Sequence, residues 1–299
     1  MKVRIGFGLG VRSRTNDGER LDDLLDGLEK HRFDSLWLSE RIGGESPDPV
    51  VGMAYTAGRT EKLKFGTSVM VLPGRSPALV AKQLASLDVL SGGRMLPAFG
   101  LGVRDGPERQ AFGVARQDRA GWFEEALPLI RRFWTGDPVD HDGPLFTYDG
   151  LTVRPRPVQE EFDVWLGGVA PSELRRTGRL GDGWLPSFTS PADAPEKKKV
   201  IEEAADAAGR EIDPEHFGAL VIYLRDAIPD RLATLARARR PDLDPAELFP
   251  VGMAGVRTLL ERFVEGGFSK FVLVPAQTPE RWDDELDEVA AELLPLQRT

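Results

Sequence analysis

The stretch Leu63-Lys64-Phe65-Gly66-Thr67-Ser68-Val69-Met70-Val71, followed by Ser76-Pro77, a helical segment to about Leu90, Ser91-Gly92-Gly93 and the run Met95 to Phe99, holds one complete unit of the fold. An apolar run of strand length comes first. Serine then proline is the signal for a helix N-cap and its first helical position. The glycine pair supplies residues that stop a helix, and a second apolar run follows at once. Near-continuous apolar strands joined through a helix predict parallel strands covered on the outside by helices.

The unit recurs in both directions. Strand-like runs stand at Val3 to Phe7, Phe33 to Leu38, Asp163 to Leu166, Gly183 to Pro186, His216 to Leu224 and Lys270 to Val274. Between them lie helix-period segments, for example Leu21, Leu24, Leu25 and Leu28 on one face. Asp48-Pro49 repeats the cap-and-proline signal ahead of Val50 to Arg59, and Trp122 to Trp134 anchors a longer helix. Eight strand-and-helix units in 299 residues predict a (β/α)8 TIM-type barrel with loop insertions at the strand C-terminal face. An open doubly wound sheet would show a glycine fingerprint after the first strand. Gly6-Phe7-Gly8-Leu9-Gly10 lacks the spacing of the third glycine. Asp140 to Arg156 breaks the rhythm with turn signals at Asp142-Gly143-Pro144 and Asp149-Gly150, so a hairpin-like insertion is expected around 138–157. No Ser- or Gly-rich linker divides the chain, and residues 1–299 read as a single barrel domain.

Composition narrows the chemistry. A net charge of −9 offers no footprint for a phosphate backbone, so nucleic acid is not an expected partner. The absence of cysteine removes disulfides, thiolate metal sites and cysteine nucleophiles. His31, His141 and His216 stand far apart, and no metal site is expected. Neither a signal peptide nor an apolar run of membrane-spanning length is seen, which predicts a cytoplasmic protein with no membrane partner.

In such a barrel function gathers where strands end. Those positions are Ser39-Glu40-Arg41 after strand two, Gly66-Thr67-Ser68-Val69-Met70 at strand three, Gly100-Leu101-Gly102 after strand four, and Gly167-Gly168-Val169-Ala170 before Pro171 after strand five. Glu40 and Arg41 suit polar recognition or proton transfer, or simply an ion pair. Hydroxyls among apolar residues suit a flat ring with a polar edge. Glycines permit close backbone approach. The segment ahead of Pro171 is the best anion site, because helix N-termini present free amides. Gly181-Asp182-Gly183-Trp184 marks strand six, where Trp184 reads either as core or as pocket wall.

Several of these segments together resemble one family. Phe33 to Glu40, Ala85 to Arg94, Arg119 to Glu125, Pro155-Arg156-Pro157, Trp165-Leu166-Gly167-Gly168 and Gly181-Asp182-Gly183-Trp184 occur in the order found in luciferase-like monooxygenases. The Thr67-Ser68-Val69-Met70 stretch looks most like the branch using the deazaflavin coenzyme F420. The resemblance implies hydride transfer between coenzyme F420 and a small organic substrate, with FMN as the alternative cofactor. It implies a cis peptide between Ser68 and Val69 behind the ring, Glu40 near the ring, and Gly167 and Gly168 amides toward the phosphate. Met70, Gly100, Gly102, Val169 and Trp184 complete the expected cofactor surface. Many relatives carry histidine where this chain has Arg41, and arginine is no proton donor near neutral pH. Relatives often form homodimers. The connection Asp105 to Gln117 and the insertion Asp140 to Arg156 are candidate walls or lids. The rival readings are an FMN-dependent monooxygenase, an inactive flavin-binding or structural barrel, and a barrel with unrelated chemistry.

Overall fold

The computed structural model describes residues 1–10, 18–103 and 106–297. Its architecture is a (β/α)8 barrel. Barrel strands one to eight are Arg4–Leu9, Ser35–Leu38, Lys64–Thr67 continued by Met70–Val71, Met95–Leu96 continued by Ala98–Gly100, Trp165–Leu166, Gly183–Trp184, Gly218–Tyr223 and Lys270–Pro275. All neighbours pair in parallel: Leu273 on Phe7, Phe7 on Leu36, Leu36 on Phe65, Phe65 on Met95, then Ala98 on Trp165 and Trp165 on Gly183. A parallel bridge from Trp184 to Phe217 joins strand six to strand seven, and strand seven pairs along its length with strand eight. The eight apolar runs therefore fall where the alternation put them, with ends shifted by a few residues.

Side-chain alternation sorts the core into two layers. Leu36 and Leu38 face the helices while Trp37 points into the barrel; Phe271 and Leu273 face outward while Val272 and Val274 face in. The interior is plugged by Trp37, Trp165, Leu185 and Ala98 with those valines. Two tryptophans fit because glycine stands opposite each. A Cβ on Gly66 would lie 3.1 Å from the Trp37 ring and 2.3 Å from the Leu96 carbonyl, and one on Gly183 would lie 2.6 Å from the Trp165 ring.

Helix caps separate the two proline signals. Asp48 Oδ1 accepts from Val50 N at 2.9 Å and Val51 N at 3.1 Å, a true N-cap for helix Pro49–Arg59. Ser76 makes no such bond, and helix Pro77–Ser91 starts on its proline alone. It ends as expected, with Gly92 left-handed at φ 68°.

The insertion is an antiparallel hairpin, Val139–Asp142 with Thr147–Leu151. It is fastened to helix Arg119–Trp134: Phe146 N donates to Glu125 Oε1 at 3.0 Å, and the Phe146 and Tyr148 rings meet Trp122 and Phe133 edge-on, each at 5.0 Å. Aromatic packing thus lays the hairpin on the helix flank, and its role as a lid has no contact behind it among the described residues. Among the described residues no helix is long and apolar enough to cross a membrane.

Candidate active site at the C-terminal face

The ends of strands two to five form a platform of small residues around Val69. The Ser68–Val69 peptide is cis. Ser68, Val69, Gly100 and Gly167 are all partly accessible. A Cβ on Gly100 would lie 2.6 Å from one Val69 methyl group, and one on Gly167 3.3 Å from the other, so glycine at both positions lets the valine settle between strands four and five. Ser39 Oγ, at the end of strand two, donates to Ser68 O at 3.1 Å and lies 3.2 Å from Ser68 Oγ. Two hydroxyls therefore edge an otherwise apolar platform.

Other residues expected on this surface lie behind it. Thr67 is buried; its Oγ1 donates to Ala98 O at 2.5 Å and accepts from Ala98 N at 3.0 Å. That hydroxyl stitches strand three to strand four where the ladder is interrupted. Met70 is buried core. Trp184 is fully buried, and its Nε1 donates to Gly168 O at 2.9 Å. Its ring packs toward Phe268, 5.9 Å between centroids, so it holds Gly168 from inside the core rather than walling a pocket. Gly102, at φ 80°, continues the glycine turn after strand four. Arg119 ties that turn down, donating from Nη1 to Leu101 O at 3.2 Å and Val103 O at 2.8 Å.

Glu40 and Arg41 part company. The Glu40 side chain is only 3% exposed. One carboxylate oxygen accepts from Val71 N at 2.6 Å and the other takes Arg75 Nη2, while Arg75 Nε donates to Val71 O at 2.9 Å. Burial pushes the Glu40 carboxyl above its ordinary pKa, only partly offset by the Val71 amide and the Arg75 charge. Arg41 points outward to Glu108, with Nε donating to its two oxygens at 2.8 and 3.1 Å. Glu108 also accepts from Gly43 N at 3.2 Å. The connection after strand four thus rests on the loop after strand two through Glu108; Asp105, its first expected residue, lies outside the described residues.

The helix N-terminus after strand five is already engaged. Glu173 Oε2 accepts from Val169 N at 3.0 Å and Ala170 N at 2.9 Å. An acid three residues into a helix reaches back to the first amides, as in a capping box. Gly168, at φ 106°, needs to be glycine because a Cβ would lie 2.6 Å from that carboxylate. Reading Ala170-Pro171-Ser172-Glu173 for its third helical residue would have found this competitor for the anion site. Arg75 carried no such signal, since its partner lies 35 residues away. Among the described residues no group of His, Cys, Asp and Glu could hold a metal ion.

The profile of luciferase-like monooxygenases matches residues 3–291. The chain belongs to that family. Among luciferase-like relatives, an F420-dependent glucose-6-phosphate dehydrogenase of Gordonia bronchialis is 27% identical over 227 residues, 71% of this chain and 66% of its own length. The match thus spans just under two thirds of that relative. The solved F420-dependent secondary alcohol dehydrogenase in complex with an F420-acetone adduct has a TM-score of 0.83 at 20% identity, covering 100% of both chains. The FMN complex of the oxygenating constituent of 3,6-diketocamphane monooxygenase from Pseudomonas putida scores 0.78 at 17% identity, covering 100% of this chain and 99% of that one. These two structures share the luciferase-like barrel across two cofactors.

Proposed function

We propose that the chain is an F420-dependent oxidoreductase, passing a hydride between coenzyme F420 and a small organic substrate at the C-terminal face of the barrel. The observation that carries this reading is the accessible platform of Ser68, Val69, Gly100 and Gly167 with its Ser39–Ser68 hydroxyl edge. A flat ring with one polar edge fits such a platform. The name of the Gordonia bronchialis relative points the same way.

When bound, the deazaflavin supplies a two-electron hydride carrier, and the protein supplies orientation, electrostatics and exclusion of water. Ser68, Val69, Gly100 and Gly167 would hold the ring. Thr67, Met70 and Trp184 act from behind, by fixing the backbone in front of them. Gly168 N–H is available to the phosphate, whereas the amides of Val169 and Ala170 must first be released by Glu173. Glu40 positions the strand-three segment through Val71 and Arg75. Arg41 and Glu108 close the mouth between the loops after strands two and four. Arg41 stays charged and orients anionic groups without moving a proton.

We read the protein as a single barrel domain, cytoplasmic and homodimeric. Exposed Val51, Tyr55, Leu79 and Leu90 on helices Pro49–Arg59 and Pro77–Ser91 support a second copy as the covering partner. Fluorescence titration with F420, beside absorbance titration with FMN, tests the cofactor. F420 should bind with a dissociation constant on the order of micromolar and FMN at least about a hundredfold more weakly. Tight FMN binding without F420 binding would make the chain an FMN enzyme instead.

A further inference from the structure

Strands seven and eight stand across the barrel from the platform, and their inward side chains are apolar. Leu185, just past strand six, and Val274 on strand eight belong to the cluster that plugs the interior, and Ile222 on strand seven packs against it. Ile222 pairs in register with Val274 and, like Val69, is partly accessible. It also meets the small core of Leu224, Leu248 and Phe249 beyond the end of strand seven, which places it at the mouth. On the near side, a Cβ on Gly167 would lie 3.3 Å from Val69 and 3.6 Å from the Leu185 carbonyl, so the platform runs directly into strand six.

Among the described residues, the last inward positions of strands two to eight are Ser39, Ser68, Gly100, Gly167, Leu185, Ile222 and Val274. They offer two hydroxyls and no charge. The ionised groups at neighbouring strand ends are spent on one another or on backbone: Glu40 on Arg75, Arg41 on Glu108, Glu173 on the Val169 and Ala170 amides, and Arg225 on Glu285 and Glu288. Lys270, inside the barrel, lies at the opposite end, buried against Trp37 and Trp165 and paired with Asp34 at 2.9 Å. An anion drawn in between platform and wall would lose its water with no counter-charge to replace it, whereas an alcohol or carbonyl oxygen needs only a hydrogen-bond partner.

We infer that the substrate is a small uncharged alcohol, or the matching ketone or aldehyde, with apolar groups on its reacting carbon, held between the platform and the wall of Leu185, Ile222 and Val274. The inference deepens the proposed function and rests on it. In the oxidising direction the C–H bond of the alcohol carbon breaks, its hydride reduces the deazaflavin, the hydroxyl proton goes to water, and the carbonyl remains. Ile222 sets the specificity, as the partly accessible side chain of that wall.

Cyclohexanone and 4-oxocyclohexanecarboxylate are the probes, matched in ring and carbonyl and differing by one charge. Each is titrated by calorimetry into the F420-loaded full chain and into the same chain without cofactor. Cyclohexanone should bind with a dissociation constant on the order of millimolar or tighter, and the carboxylate at least about tenfold more weakly, in both forms. Ile222→Ala should weaken cyclohexanone about fivefold and Ile222→Val about twofold, with F420 affinity held within about twofold. The loaded enzyme should oxidise cyclohexanol and leave glucose 6-phosphate untouched. The proposal is overturned by absent cyclohexanone binding, by carboxylate binding of equal strength, by oxidation of glucose 6-phosphate, or by a folded Ile222→Ala that binds cyclohexanone as the wild type does. If F420 does not bind at all, the cofactor reading fails, and the choice of the unloaded chain between the two ketones still decides the charge of the substrate.

Discussion

The barrel buries a carboxylate with a cation at each end, and the two pairs are balanced differently. At the floor, Lys270 is 3% exposed, donates to Asp34 at 2.9 Å, and sits 5.6 and 5.8 Å from the rings of Trp37 and Trp165. Burial works against the Asp34 charge, but the Lys270 and Lys64 charges and the hydrogen bonds from Lys270 and Ser35 outweigh it and hold the carboxyl at about 2. At the mouth, burial of Glu40 outweighs the Val71 amide and Arg75, so that carboxyl lies above its ordinary value. Asp34 is compensated, although burial holds the Lys270 pKa below its ordinary value against the pull of Asp34, and the floor pair serves the fold. The mouth pair costs stability and shapes the strand-three segment that carries Ser68 and Val69. Such a division is common where a scaffold supports a site.

The largest effect expected from this contrast is at the floor. Asp34→Asn leaves Lys270 buried without its counter-ion and should cost roughly 3–5 kcal/mol in urea denaturation. A loss below about 1 kcal/mol would mean that the floor pair is no better balanced than a surface one.

Acid titration of stability comes next. Asp34 is lowered on folding, so its contribution is complete above its ordinary value of 3.8 and disappears as pH falls toward about 2. The loss should be roughly 2 kcal/mol. Glu40 has the opposite sign. Its folded form holds the proton more tightly than the unfolded chain, so it subtracts stability as pH rises above 4.5. Glu40→Gln should therefore gain on the wild type as pH is raised from 4 toward 7. An unchanged difference between the two proteins across that range would remove the contrast.

The smallest stability effect belongs to Glu40→Gln at neutral pH, within about 1 kcal/mol of the wild type. Its cost should appear in binding instead, as F420 affinity about tenfold weaker, because Arg75 no longer fixes Val71. Unchanged affinity would mean that the Glu40–Arg75 pair does not position the site.

The barrel was legible because strand burial is periodic and local. Leu36, Trp37 and Leu38 alternate faces, and Asp48 and Gly92 punctuate helices by their own chemistry. The site was legible only as strand-end positions. Thr67 and Trp184 belong to its neighbourhood, yet their polar atoms are spent on Ala98 and Gly168, partners that no spacing rule names. Glu173 was within reach, because capping at the third helical residue is local. Arg75 was not, since it acts through a contact that exists only after the chain has closed on itself.

The central claim is that a deazaflavin ring lies on the platform built at the mouth by strands three to five. Titration of F420 into the wild type and into Gly100→Val tests it most directly, with thermal melting run on both. A valine side chain at Gly100 would crowd the face beside Val69. The account predicts F420 binding on the order of micromolar by the wild type and at least about a hundredfold weaker binding by the variant, with the variant still folding cooperatively. Equal F420 affinity in the two folded proteins would contradict it.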